Sequence, residues 1–122
     1  MSHVVTIATE VRDPAAVAAA CRRLGLPEPT FGTARLYSGD VVGLLVRLPG
    51  WVYPVAAETT TGRIRFDDYG GAWGDQIQLD RLLQAYAVEK ARIEARRRGH
   101  SVVEKTLADG SILLTVAVGG GD

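Results

Sequence analysis

"LYSGDVVGLLVRLPGWVYPVAAETTTGRIRF", residues 36–66, decides the fold. Apolar runs alternate here with three turn signals: Ser38-Gly39-Asp40, Pro49-Gly50 and Thr60-Thr61-Gly62. The pattern predicts strands over Thr33–Ser38, Val41–Leu48, Trp51–Thr59 and Arg63–Asp68. Connections this short cannot hold a crossover helix, so consecutive strands must run antiparallel. In the second strand Val42, Leu44, Val46 and Leu48 share a face. In the fourth, Ile64 and Phe66 point inward while Arg63 and Arg65 point out. Pro54 lacks an N–H and argues for an edge or irregular position for the third.

Working outward, His3–Val11 alternates and reads as a first strand. Asp13-Pro14 supplies an N-cap and a first-turn proline. Val17, Ala20, Cys21 and Leu24 then recur at helical spacing, and Gly25 is the expected stop before Pro27 and Pro29. A longer helix is expected from Asp75 to about Arg98, closed by Gly99. Its buried side is marked by Leu79, Leu82, Leu83, Tyr86 and Ile93, with Ala87 and Ala91 alongside. Ala108-Asp109-Gly110 joins His100–Leu107 to Ser111–Val118 as a last hairpin.

The order β-α-β-β-β-β-α-β-β predicts an α+β fold: a mainly antiparallel sheet with two helices on one face. Residues 1–118 read as a single domain and 119–122 as a flexible glycine-rich tail. "RRLG" at 22–25 and "RRRG" at 96–99 each close a helix before a hairpin. That echo raises the option of two βαββ units related by a pseudo-twofold.

Hydrophobic residues make up 47% of the 122, enough for a core and against disorder. Lys plus Arg equals Asp plus Glu at 14 each, a balance that argues against a dedicated DNA binder. The lone Cys21 allows no intrachain disulfide, and its place on the apolar stripe makes it a small core residue. A reducing, cytoplasmic setting is the expectation. The N-terminal alternation is that of a strand rather than a signal peptide, and no run reaches membrane-span length.

No phosphate loop, zinc-binding cysteine pair or nucleophile motif can be assembled. No catalytic residue, cofactor or metal site is therefore assigned. His3 and His100 each open a strand, and strand-end roles are expected for them. "EKARIEARRRGH", residues 89–100, is cationic; Arg96–Arg98 suit the negative end of a helix dipole, with an anion or nucleic-acid patch as the alternative. "DDYGGAWGD", residues 67–75, combines strand-end acids, turn glycines and a helix cap at Asp75. Its acid spacing fits no EF-hand loop. Trp73 is either a plug beneath the second helix or a residue offered to a partner.

The N-terminal "MSH", "RLPG" at 47–50, "DDYGGAWGDQ" at 67–76, and "LLQAYAVEKARIEARRRGHSVVEKTLADGSILLTV" follow one another in an order that resembles the DUF1257 (Ycf35-like) family of small uncharacterised proteins. The chain departs from that pattern at Val4, where the family usually has Phe, and at Trp73, displaced beyond two glycines. The resemblance implies an accessory role beside an AAA-type ATPase system.

The expected function is thus a non-enzymatic adaptor that binds a protein partner through Trp51, Tyr69, Trp73 and Asp75, with a homodimer as an option. One alternative is a small-ligand or anion-binding protein, or an enzyme, with a pocket between helices and sheet and polar groups from Arg22, Arg97, His3 and His100. Weak nucleic-acid binding through the basic helix ends is a second alternative.

Overall fold

The computed structural model describes residues 5–7, 10–37 and 39–118. Its elements are β1 (Val5–Ile7), α1 (Pro14–Leu24), β2 (Thr30–Leu36), β3 (Gly39–Val46), β4 (Val55–Glu58), β5 (Arg63–Phe66), α2 (Gln76–Arg97), β6 (Ser101–Thr106) and β7 (Ile112–Ala117). The order is the expected one, and the fold is α+β. Strands β1 to β5 form one antiparallel sheet in the spatial order β1-β5-β4-β3-β2. The meander read from the turns accounts for its last four strands. Among the described residues, strands β6 and β7 pair only with each other, as a separate ribbon.

Both helices pack on one face of the larger sheet. Val46, Val55, Ala57, Ile64 and Phe66 meet Ala16, Val17, Ala20 and Cys21 of α1 and Leu79, Leu82, Ala85 and Tyr86 of α2 in one core. Cys21 is fully buried, as expected, and burial raises its thiol pKa, which keeps it protonated and inert. A smaller cluster of Ala34, Leu36, Val41 and Ala56, with Leu45 and Tyr53 against it, occupies the opposite face.

The third strand is shorter than expected. β4 starts at Val55, just after Pro54, and lies between β3 and β5 rather than at an edge. Pro54 therefore costs the ladder nothing, because pairing begins at the next residue. On α2, Leu83 and Ile93 are only half-buried and Ala87 is exposed. Val88 and Ala95 are buried as well, and the β6–β7 ribbon packs against this helix.

The helix ends follow local rules. The Asp13 carboxylate accepts from the Ala15 and Ala16 N–H groups at 3.0 and 3.4 Å. Gly25 adopts φ 70° and Gly99 φ 76°. In each case the next N–H reaches back to close the last turn, Leu26 to the Cys21 carbonyl at 2.8 Å and His100 to that of Ala95 at 2.9 Å. The "RRLG" and "RRRG" echo is therefore a shared way of ending a helix. The elements around it are not equivalent: β2–β3 belongs to the large sheet, whereas β6–β7 stands apart.

Two polar links tie the layers together. The Tyr86 hydroxyl accepts from the backbone N–H groups of Arg12 and Asp13, each at 3.1 Å, and so fixes the entry to α1. The ribbon is held by Glu104, which binds Arg23 of α1 and, at 2.9 Å, Arg92 of α2. Arg23 also meets Glu89 at 3.0 Å.

The Arg23 hydrogen bond holds the Glu104 carboxyl below its usual pKa of 4.5. A lowered folded-state pKa stabilises fully above the unfolded value and is lost as the pH falls through the folded one. Glu104→Gln is accordingly expected to lower stability near pH 7, and the gap from the parent should close as the pH drops below 4.5 and through the lowered folded-state value. Urea unfolding of both proteins across that range checks this; a gap independent of pH would mean that the ion pairs contribute nothing.

Candidate functional site

The segment between β5 and α2 is built by two tryptophans with different work. Trp51, in the β3–β4 connection, is 9% exposed. Its ring meets Phe66 edge-on with centroids 5.6 Å apart, and its indole N–H donates to the Asp75 carbonyl at 3.1 Å. The ring lies flat against Gly74, where a Cβ would sit 2.4–2.8 Å from three indole carbons. Only glycine allows that approach. Trp51 is thus the plug at the start of α2, buried where an exposed ring was expected.

Trp73 is half-buried and sits at the centre of an aromatic cluster. Tyr69 stacks on it with centroids 4.6 Å apart at 25°, while Tyr37 and Tyr53 approach at 5.4 and 5.7 Å with their planes inclined. Tyr37 is 63% and Tyr69 43% exposed. Trp73 is therefore neither the plug nor a lone contact residue. Its carbonyl accepts from the Val52 N–H at 2.9 Å, which pins this loop to the connection that carries Trp51.

Tyr69 has φ 49°, followed by Gly70 at 62° and Gly71 at 100°. A bulky residue in the left-handed region costs about 1–3 kcal/mol and persists only where its surroundings hold it there. Here the stack on Trp73 and the Asp67 carboxylate, accepting from the Tyr69 N–H at 3.4 Å, do so. Asp67 is fully buried, and its second carboxylate oxygen has no hydrogen-bond partner among the described residues. Asp75 caps α2 as expected, accepting from the Ile77 N–H at 3.1 Å, so its carboxylate serves the helix before any partner.

Arg22 is exposed on α1, and Arg97 lies at the end of α2 paired with Glu94 at 3.4 Å. His100 is half-buried just beyond, and His3 lies outside the described residues. Between helices and sheet, among the described residues, lies a space of about 10 Å³ with an entirely apolar lining that includes Val17, Ile64 and Leu82. That is at the lower limit for a single water, and no polar group there could hold one. A surface groove of about 480 Å³ runs beside α2, floored by Leu83, Ala87 and Ala91 and crossed by Lys90, whose ammonium binds Asp13 at 3.1 Å and Glu94 at 2.8 Å. Among the described residues, no group of three or more metal-ligating side chains comes together. No helix there is long and apolar enough to cross a membrane.

Sequence reasoning missed Tyr37 and Tyr53 as neighbours of Trp73. The available signal was that each lies beside a turn, where an aromatic ring is less often absorbed by the core. No family model, curated protein or solved structure matches the chain.

The two tryptophans should separate on substitution. Trp51→Ala is expected to cost about 3–5 kcal/mol and Gly74→Ala about 1–3 kcal/mol. Trp73→Ala should cost roughly half the Trp51→Ala value or less, because its ring is only half-buried. Chemical denaturation of the three variants checks the order, and equal losses at both tryptophans would place both in the core.

Proposed function

We propose that this chain is a non-enzymatic accessory protein that binds another protein through the aromatic surface of Tyr37, Tyr53, Tyr69 and Trp73. The observation that carries this reading is Tyr69. Its backbone is held in a costly left-handed conformation, yet its ring stays 43% exposed. Strain maintained in order to present a ring to solvent is poorly explained by core packing and well explained by recognition. Tyr and Trp dominate binding hot spots because each offers a large apolar face with a polar edge, at little cost in rotamer entropy. Of the residues expected from the sequence, Tyr69 and Trp73 keep a contact role, Asp75 becomes a helix cap and Trp51 a support.

The resemblance to the Ycf35-like family supports an accessory role, and it makes a component of an AAA-type ATPase system the first partner to test. The tight apolar interior weighs against a ligand pocket between helices and sheet. The pairing of Arg23 with Glu89 and Glu104, and of Arg97 with Glu94, weighs against nucleic-acid binding through the basic helix ends, since these cations already have carboxylate partners.

A photo-crosslinking side chain placed at Tyr69 is expected to capture one protein species in cells of the native host, whereas the same group at Arg81 should not. The capture should disappear with Tyr37→Ala, which leaves the circular dichroism spectrum unchanged. For a purified partner, Tyr69→Ala should weaken binding by about thirtyfold. Capture at Arg81 equal to that at Tyr69, or binding indifferent to both tyrosines, would remove the aromatic surface from the account.

A further inference from the structure

β2 is a seven-residue strand at the edge of the five-stranded sheet. Its outer N–H and C=O groups face no other strand among the described residues. Natural edges are usually blunted by charge, proline, a bulge or a covering loop. β2 has no proline inside it and pairs with β3 in unbroken register from Thr30 to Leu36. Its one charged side chain, Arg35, turns toward Asp40 of its own hairpin at 3.6 Å. Beside it Phe31 is 75% exposed, on the part of the sheet that the helices do not reach.

We propose that β2 pairs antiparallel with β2 of a second copy of this chain, about a twofold axis at Thr33. The strand is self-complementary in that register. A twofold perpendicular to the sheet requires paired residue numbers with a constant even sum, so that each side chain meets one on its own face. The sum 66 (30 + 36) is the choice that pairs every residue of β2, Thr30 with Leu36 through Thr33 with itself. It sets Gly32 against Ala34 on one face, where small side chains let the strands close. On the other face it sets Phe31 against Arg35 of the second copy.

The register with β3 extends this match. Phe31 lies beside Leu44, and Arg35 beside Asp40, so each row across the joint reads Leu44, Phe31, Arg35, Asp40. In the dimer the exposed guanidinium swings from its own Asp40 to lie over the partner's most exposed aromatic ring, a favourable cation–π arrangement occurring twice per dimer. The two sheets become one ten-stranded sheet, and this edge disappears. The Tyr37 residues of the two copies would sit about 26 Å apart along the joint, eight strand residues at roughly 3.3 Å each, and both aromatic surfaces would stay free.

Sedimentation velocity of the full chain over a range of concentrations is expected to show a dimer. Phe31→Arg puts an arginine opposite the partner's Arg35 and should raise the dissociation constant by at least about tenfold. Phe31→Glu puts a carboxylate there instead and should retain the dimer. Position 31 is on the surface, so circular dichroism should confirm an unchanged fold for both variants. Thr33→Cys should form a covalent dimer on mild oxidation, and Thr115→Cys in β7 should not; Cys21 is buried and does not interfere. A monomer at every concentration, a dimer insensitive to Phe31→Arg, or cross-linking no faster at Thr33 than at Thr115 would each overturn the proposal. Any of these outcomes leaves the reading of Tyr69 and Trp73 untouched, because neither residue takes part in the joint.

Discussion

The contact on which the architecture depends is the indole of Trp51 lying on the backbone of Gly74. It brings together three points far apart in sequence: the β3–β4 connection, the end of β5 through Phe66, and the first turn of α2 through the Asp75 carbonyl. A helix N-terminus is easily frayed, since its first N–H groups have no partners within the helix. Here the Asp75 side chain satisfies one of them while its carbonyl is held by a buried indole N–H. The start of α2 is thereby fixed against the sheet, and the rest of its buried stripe falls into register with the core.

Residues 67–73 are clamped at both ends as a result. Asp67 is buried at one end, and Gly74 is trapped under Trp51 at the other. The chain between must turn within a short span, and it does so through three successive left-handed residues. Trp73 is thereby thrown to the outer side of the clamp, where Tyr37, Tyr53 and Tyr69 gather around it. The aromatic surface is a consequence of the plug. One tryptophan is spent on holding the loop, and the other is displayed by it.

Much of this was legible in local patterns. The strand and helix order follows from turn spacing and apolar periodicity. The caps at Asp13, Gly25 and Asp75 follow from the chemistry of free N–H and C=O groups. Cys21 follows from the stripe it lies on. What was not legible depends on contacts between distant segments. Trp51 and Trp73 both stand beside turn glycines, and nothing local tells which ring will reach the backbone of Gly74. Both were expected at a partner surface, with a plug as the alternative for Trp73, for that reason. Pro54 signalled irregular backbone correctly, but an edge was the wrong inference, since the ladder simply begins after it. The "RRLG" and "RRRG" echo looked like duplication because a helix-ending motif is the same wherever a helix ends. The gathering of Tyr37 and Tyr53 around Trp73 required knowing that the β2–β3 turn, the β3–β4 connection and the loop before α2 meet.

The most direct measurement of the central contact is the proton NMR spectrum of Gly74. An aromatic ring stacked on its α-carbon shields the α-protons. Both are expected to be shifted well upfield of ordinary glycine values, with nuclear Overhauser contacts to the Trp51 ring and a Trp51 indole N–H that exchanges slowly with solvent. Gly74 α-protons at ordinary values, together with a Trp51 indole N–H that exchanges as freely as an exposed one, would contradict it.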